Sequence, residues 1–287
     1  MDPVSPWSLA ALSPYAALGL GAGAYGTMIG AGGGSLIVPA LLLLFHLPVQ
    51  TVLGMSLWTV FANAASGTAS YVRFRTIDYR SGILFAASVV PGAVLGALAA
   101  GHLPPRLFSL AFGLLLVGMS VLILRRPASP FVPLPVKIRT YEAYMRRELA
   151  VRRITDRDGR RYEYYVDTRL GTLISFLVGI ASSLLGIGGG ILHVPAMILM
   201  LGFPSHIAVA TSHFVLAVSS ITGAAIFTLQ HHLAWHQTLA LCLGAVIGAQ
   251  LGACLSRRLS GPWITRLLAA GMIAVGVRML WREMAGA

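Results

Sequence analysis

Gly30-Ala-Gly-Gly-Gly-Ser-Leu-Ile-Val-Pro-Ala40 has a second copy 156 positions further on, Gly186-Ile-Gly-Gly-Gly-Ile-Leu-His-Val-Pro-Ala196. From Gly30 to Ser56 against Gly186 to Ser212, 11 of 27 positions are identical, which marks an internal duplication. The match continues: Gly67 and Ala69 recur as Gly223 and Ala225, and Gly92, Ala93, Leu95, Gly96 and Ala97 recur as Gly248, Ala249, Leu251, Gly252 and Ala253. The chain divides into a first repeat at 1–124, a middle segment at 125–168 and a second repeat at 169–287.

The medium in which these repeats fold follows from where charge is missing. No Asp, Glu, Lys or Arg occurs from Val4 to Val72, and none from Leu170 to Ser256. A charge at the centre of a span costs roughly 2.5 to 3.5 kcal/mol on insertion scales, so both stretches belong largely in lipid. With 56% hydrophobic residues, 10% charged and a mean hydropathy of +0.79, the 287-residue chain lies outside the soluble globular range. Met1-Asp-Pro-Val-Ser-Pro-Trp7 lacks the basic region of a secretory leader, so the apolar start is expected to be part of the fold. The formal charge of +12 does not indicate nucleic acid: 12 of the 21 basic residues fall between Arg125 and Arg169, among six acids and without a stacking platform. Cys242 and Cys254 have no metal-type or disulfide spacing, and neither a cofactor nor a metal is implied.

The expected fold class is an all-α integral membrane protein, because lipid satisfies no exposed backbone group. Each repeat should hold a pair of half-helices broken at the glycines, near 15–30 and 35–46 in the first, followed by three spans. These lie near 49–72, 81–102 and 106–124, with counterparts near 205–230, 237–256 and 263–281. Between the repeats, four prolines from Pro127 to Pro135 make a stiff exit, Thr140 to Arg153 reads as a polar helix, and Ile154 to Val166 as a hairpin turning at Asp158-Gly159. Equivalent loops carry opposite charge bias. Arg73, Arg75 and Arg80 follow one span, while His231 to His236 in the second repeat carries no Arg or Lys; the next loop has Arg106 alone against Arg257, Arg258 and Arg266. Inverted repeats with a cytoplasmic middle segment explain this; Arg278 and Arg282 point the other way, and a parallel arrangement is the alternative.

Gly21-Ala-Gly-Ala-Tyr-Gly26 matches GxGxxG only formally, since no acid follows before Asp78. Small residues at Gly19/Gly23, Gly92/Gly96 and Gly244/Gly248/Gly252 read as close helix packing. The triplets differ. Gly32, Gly33 and Gly34 with Ser35, and Gly188, Gly189 and Gly190, break a helix where only protein or water can tolerate it, and the resuming helix points unpaired N–H groups forward. This suits a small anion; a tight ligand-free crossing is the alternative. Ser56, Thr59, Asn63, Ser66 and Ser70 share one helical face, partly repeated as Ser212, Ser219 and Thr222, either as helix glue or as donors to the anion. His193 and His213 stand where the first repeat has Ile37 and Leu57, and are candidates for substrate contact or proton coupling. His231, His232 and His236 read as interfacial residues rather than a metal site.

The paired GxGGG…P elements, Thr211-Ser212 after the second, and the duplication resemble the TauE/SafE sulfite exporter family, also called the 4-toluene sulfonate uptake permeases. The resemblance covers both repeats and leaves out the middle segment. It implies a secondary carrier, in exporter fashion, of sulfite, sulfoacetate or other organosulfonates across the bacterial cytoplasmic (inner) membrane, with proton coupling compatible. Its implied partners are a small anionic substrate and the bilayer, with a homo-oligomer compatible. An anion channel, a carrier of other organic anions and a membrane-embedded enzyme are the competing readings; the last would rest on histidine and serine alone. Ala31 in the first motif and the arginine-rich middle segment depart from the family pattern.

Overall fold

A computed structural model describes residues 9–102, 104–125, 149–230, 233–256, 258 and 261–284. Ten helices and one hairpin make up these residues. The first repeat gives α1 (Leu9–Ile29), α2 (Gly34–Leu43), α3 (Val49–Phe74), α4 (Tyr79–Ala100) and α5 (Pro105–Arg125). The antiparallel strands β1 (Ala150–Thr155) and β2 (Arg161–Val166) follow, and the second repeat gives α6 (Thr168–Leu185), α7 (Gly190–Leu199), α8 (Ser205–Leu229), α9 (Trp235–Ser256) and α10 (Gly261–Met284). The protein is a helical, multi-pass membrane protein. Four helices, α4, α6, α8 and α9, are each long and apolar enough to cross a bilayer. Their outward residues are apolar too: Ile83, Leu95 and Leu98 on α4, Leu173 and Leu177 on α6, and Leu243, Ile247 and Leu251 on α9 are exposed, a surface suited to acyl chains.

Two expectations are corrected. The piece before the first triplet is not a half-helix: α1 has 21 residues, about 32 Å at 1.5 Å each, against the roughly 24 Å expected. The helix begins at Leu9, six residues before Tyr15, and carries Pro14 inside it at the loss of one N–H···O bond. Only α2 and α7, ten residues or about 15 Å each, are half-length. The polar helix expected over Thr140 to Arg153 is also not continuous, because Ala150–Arg153 belong to β1; 140–148 lie outside the described residues. Val151, Arg152 and Arg153 pair with Tyr165, Tyr164 and Glu163, and the β-branched and aromatic content of these pairs favours a ladder. The Asp156 side chain accepts from the N–H groups of Asp158 and Arg160, fixing the turn.

The two repeats exchange partners. α1 packs on α9 and its counterpart α6 packs on α4; α3 lies against its own counterpart α8, and α5 against α10. Glycines set the close approaches. A Cβ on Gly23 would stand 2.7 Å from the Ala245 carbonyl oxygen, and one on Gly96 3.0 Å from Ile180 Cα, so α1 runs parallel to α9 and α4 to α6 with backbones nearly touching. Along α3 and α8 the contacts run in opposite senses: Trp58 Nε1 donates to Thr228 Oγ1 at 2.9 Å, while Gly67 lies against His213. Along α5 and α10, Gly113 meets Leu280 and Gly276 meets Val117, again antiparallel. The hairpin closes one end of the bundle, where the Arg157 N–H donates to the Phe74 carbonyl at 3.0 Å.

Candidate functional site

The two glycine breaks meet at the centre. Gly30, Gly32 and Gly33 have φ of 82°, 72° and 80°, and Gly186, Gly188 and Gly189 have 67°, 73° and 87°, left-handed values that favour glycine. Each chain turns and starts a short helix, with neither α2 nor α7 carrying a side-chain cap. Among the described residues, the N–H groups of Gly34, Ser35, Gly190 and Ile191 find no backbone acceptor. Each helix start therefore presents unpaired donors and a partial charge of about +0.5.

The breaks lie backbone to backbone. A Cβ on Gly34 would be 2.8 Å from Ile187 Cα, and one on Gly190 2.8 Å from Ala31 Cα. Gly32 and Gly188 both abut the pair Val60 and Leu216, themselves 156 positions apart, so the local symmetry passes between those two side chains. Two serines brace the crossing reciprocally: Ser56 Oγ donates to the Gly186 carbonyl at 2.7 Å and Ser212 Oγ to the Gly30 carbonyl at 3.5 Å. A carbonyl freed by the break in one repeat is thus satisfied by a hydroxyl of the other.

A cavity of about 10 Å³ is lined by Gly188, Gly189, Gly190, His193, Ser212 and Ser219, among others. That volume holds no more than a single water. Ser175 gives its only hydroxyl hydrogen to the Gly171 carbonyl at 2.7 Å, so its oxygen accepts from His193 Nε2 at 3.1 Å. The His193 Nδ1 is then an acceptor, buried and without a partner.

His213 and Asn63 form a second cluster, apart from the cavity. His213 Nδ1 donates to the Val209 carbonyl at 3.3 Å, leaving Nε2 as a buried acceptor without a partner. Asn63 Oδ1 accepts from Thr27 Oγ1 at 2.8 Å, leaving its Nδ2 buried and unpartnered. Thr27 and Gly67 connect the two, since the Gly67 position stands against both the Thr27 methyl and the His213 ring. Tyr71 stacks edge-on with His213 at 5.4 Å and donates to the Thr27 carbonyl at 2.8 Å. Buried polar atoms without partners are rare in folded proteins and mark places where water or a ligand completes the bonding.

The sequence-derived residues therefore separate. Gly32 to Gly34, Ser35, Ser56, Gly188 to Gly190, His193 and Ser212 gather at the crossing, whereas Asn63 and His213 sit toward the hairpin end. Thr211 is elsewhere: its Oγ1 accepts from the Asp78 N–H at 3.0 Å and ties α8 to the α3–α4 turn. Lower on the polar stripe, Ser66 and Ser70 bond to Val246 and Gln250 of α9, which is helix glue. Sequence reasoning overlooked Thr27, Tyr71, Ser175, Gln250 and Asp78. Of these only Asp78 carried a local signal, as the N-cap of α4 accepting from Ser81 N at 3.1 Å. No group of three or more His, Cys, Asp or Glu suited to a metal occurs among the described residues; His231 and His232 lie outside them.

The family described as Sulfite exporter TauE/SafE matches residues 15–279. "Probable membrane transporter protein YunE" of Bacillus subtilis is 34% identical over 272 residues, covering 92% of this chain and 95% of its own. A "Probable membrane transporter protein" of Xylella fastidiosa (strain Temecula1) is 27% identical, covering 90% of each chain. "Probable membrane transporter protein MJ0441" of Methanocaldococcus jannaschii is 22% identical, covering 90% of this chain and 91% of its own. No solved structure matches.

Proposed function

Because this chain belongs to the sulfite exporter TauE/SafE family of membrane transporters, we propose that it is a secondary carrier of small sulfur-containing anions such as sulfite, sulfoacetate or organosulfonates. The observation that carries the reading is the pair of uncapped helix starts, α2 and α7, meeting at the centre of the molecule. Burying an anion is costly, and neither α2 nor α7, nor the stretches of α3 and α8 beside them, 49–72 and 205–229, hold an Arg or Lys. Unpaired N–H groups at two helix ends supply fixed donors instead, each bond to an anion contributing about 1.5 to 3 kcal/mol. A cation would meet the wrong end of both dipoles. The chain carries out transport rather than enzyme chemistry, in a bacterial inner membrane.

Transport needs the centre to open. The hydroxyl hydrogens of Ser56 and Ser212 are committed to carbonyls of the opposing break, and the adjoining cavity is about 10 Å³. When the repeats rock apart, Gly186 and Gly30 release those hydroxyls, and the same serines turn to the anion together with the helix-start N–H groups. The closed-state bonds and the substrate bonds exchange, which keeps the carrier from being trapped in either state. Inverted repeats suit this motion. They are supported by the antiparallel run of α3 against α8 and of α5 against α10, and by Arg73, Arg75, Arg80 and Arg258 lying toward the hairpin end, which is then cytoplasmic. His213, with its free acceptor nitrogen beside Tyr71, is the proton-coupling group, and His193 contacts substrate.

Purified protein in proteoliposomes tests the reading. Saturable, gradient-driven flux of sulfite or a sulfonate is expected, with taurine excluded because its ammonium lacks a carboxylate at the crossing. Flux of cations or zwitterions alone refutes it, and flux that never saturates makes the protein a channel.

A further inference from the structure

The middle segment is bound to both repeats by a buried ionic cluster centred on Asp78. Asp78 is 4% exposed, and its Oδ2 accepts from Tyr164 Oη at 2.9 Å and from Ser81 Oγ at 2.7 Å. Arg152 Nε lies 3.4 Å from the same oxygen and donates to Ser81 Oγ at 3.0 Å, with the Arg152 side chain 14% exposed. On the other side, the Asp78 N–H donates to Thr211 on α8. The hairpin therefore holds the α3–α4 turn of one repeat against the start of α8 of the other.

Beneath the hairpin is a vestibule of about 50 Å³, lined by Tyr71, Thr76, Asp156, Arg160, His206 and Ser256, among others. Tyr71, in its lining, stacks edge-on with His213. A second line of contacts runs from the hairpin to the central cavity: the Tyr164 ring is 4.8 Å from Phe203, Phe203 is 6.3 Å from Phe85, and Phe85 is 5.8 Å from His193. Through these ring contacts the hairpin packs on residues that touch both clusters of unpartnered polar atoms.

From this geometry we infer that the β1–β2 hairpin is the lid of the carrier on the arginine-rich side, latched shut here by Arg152 and Tyr164 on Asp78. A buried ion pair contributes little net stability relative to apolar packing, yet it holds one geometry firmly while intact. That is the behaviour a two-position latch requires. The hairpin carries Arg152, Arg153, Arg157, Arg160 and Arg161 against Asp156, Asp158 and Glu163, a net charge of +2 that favours anions at the mouth. The inference rests on the carrier reading for its purpose, but its test needs no knowledge of the substrate.

In a background with Cys242→Ser and Cys254→Ser, Ser219→Cys reports access to the central cavity through its rate of labelling by a membrane-impermeant anionic methanethiosulfonate in inside-out vesicles. Arg152→Gln combined with Tyr164→Phe removes two bonds to Asp78 while leaving the Asp78 cap of α4, and should raise that rate about tenfold. Cysteines at Thr76 and Asp158 joined by a short bismaleimide lock the hairpin onto the turn, and should lower the rate. No rise in the folded latch variant overturns the role of the Asp78 cluster. If that variant does not fold, the cross-link, made with the latch intact, decides alone: unchanged labelling after cross-linking overturns the lid. Labelling that responds as expected in protein that moves no sulfonate leaves the lid standing and removes the substrate assignment.

Discussion

Gly34→Ala is the sharpest probe of the crossing, because Gly34 is helical and its φ is not left-handed, so that only space is at stake. The added Cβ would lie 2.8 Å from Ile187 Cα, 2.8 Å from its carbonyl oxygen and 2.9 Å from its carbonyl carbon. Ordinary contact begins near 3.4 Å, so the opposing backbone must retreat by about 0.6 Å, and no flexible side chain is available to absorb it. Overpacking of this kind costs about 1 to 3 kcal/mol, which corresponds to a fall in melting temperature of several degrees. Gly190→Ala strains the same interface from the other repeat, its Cβ meeting Ala31 Cα at 2.8 Å. Once one substitution has parted the breaks, the second has less to displace, so the double variant should lose less than the sum of the singles. Gly21→Ala is the control: nothing lies within 4 Å of its Cβ, and alanine there should be neutral or stabilising by about 0.5 to 1 kcal/mol. Thermal melts followed by size-exclusion chromatography in detergent measure all four proteins. Gly34→Ala melting with Gly21→Ala would refute a rigid backbone crossing.

Ser56→Ala leaves the Gly186 carbonyl buried without its 2.7 Å donor and should cost about 1 to 3 kcal/mol in the same melts, whereas Ser212→Ala, losing a 3.5 Å bond, should cost less; equal losses would count against the geometry. In proteoliposomes, His213→Gln should abolish pH-driven accumulation while downhill exchange of substrate persists, and an unaltered pH dependence would remove His213 from coupling. Single cysteines at Arg75 and Arg258 should both react only from the cytoplasm, and reaction of either from outside would reverse the proposed inversion. Burial first, and then the Asp78 charge, push the Tyr164 hydroxyl up from its ordinary value of 10.0. The folded state therefore keeps a proton that the unfolded chain loses above about pH 10, so this contribution to stability is present below that pH and declines above it. Tyr164→Phe should flatten the alkaline decline in melting temperature, and an unchanged slope would show that Tyr164 does not contribute to it.

The medium, the duplication and the location of the breaks were legible in the residues alone. These properties are local or periodic: a stretch of 87 residues without Asp, Glu, Lys or Arg, Leu170 to Ser256, has one compatible solvent, and three consecutive glycines end a helix wherever they occur. The lengths of the pieces were less legible, since apolar composition does not say where a helix begins and Pro14, which reads as a helix boundary, lies inside α1. Strand β1 was hidden at Ala150–Arg153 for a related reason, because its pairing partner lies across the turn at Glu163–Val166 and a polar run has no period of its own to show.

Pairings between residues far apart in the chain came from the folded packing. Ser56 was visible as one member of a polar face, but its bond to Gly186 crosses 130 positions and depends on how the repeats interlock. Thr211 and Ser212 are neighbours in sequence and diverge in space, one to Asp78 and the other to Gly30, because successive helical residues point about 100° apart. Arg152, one arginine among many in the middle segment, becomes distinctive only when folding buries it against Asp78. Composition and spacing report what a residue can do; which acceptor it meets is set by the packing of the whole chain, where an unpaired polar group is costly and every partner must be found in three dimensions.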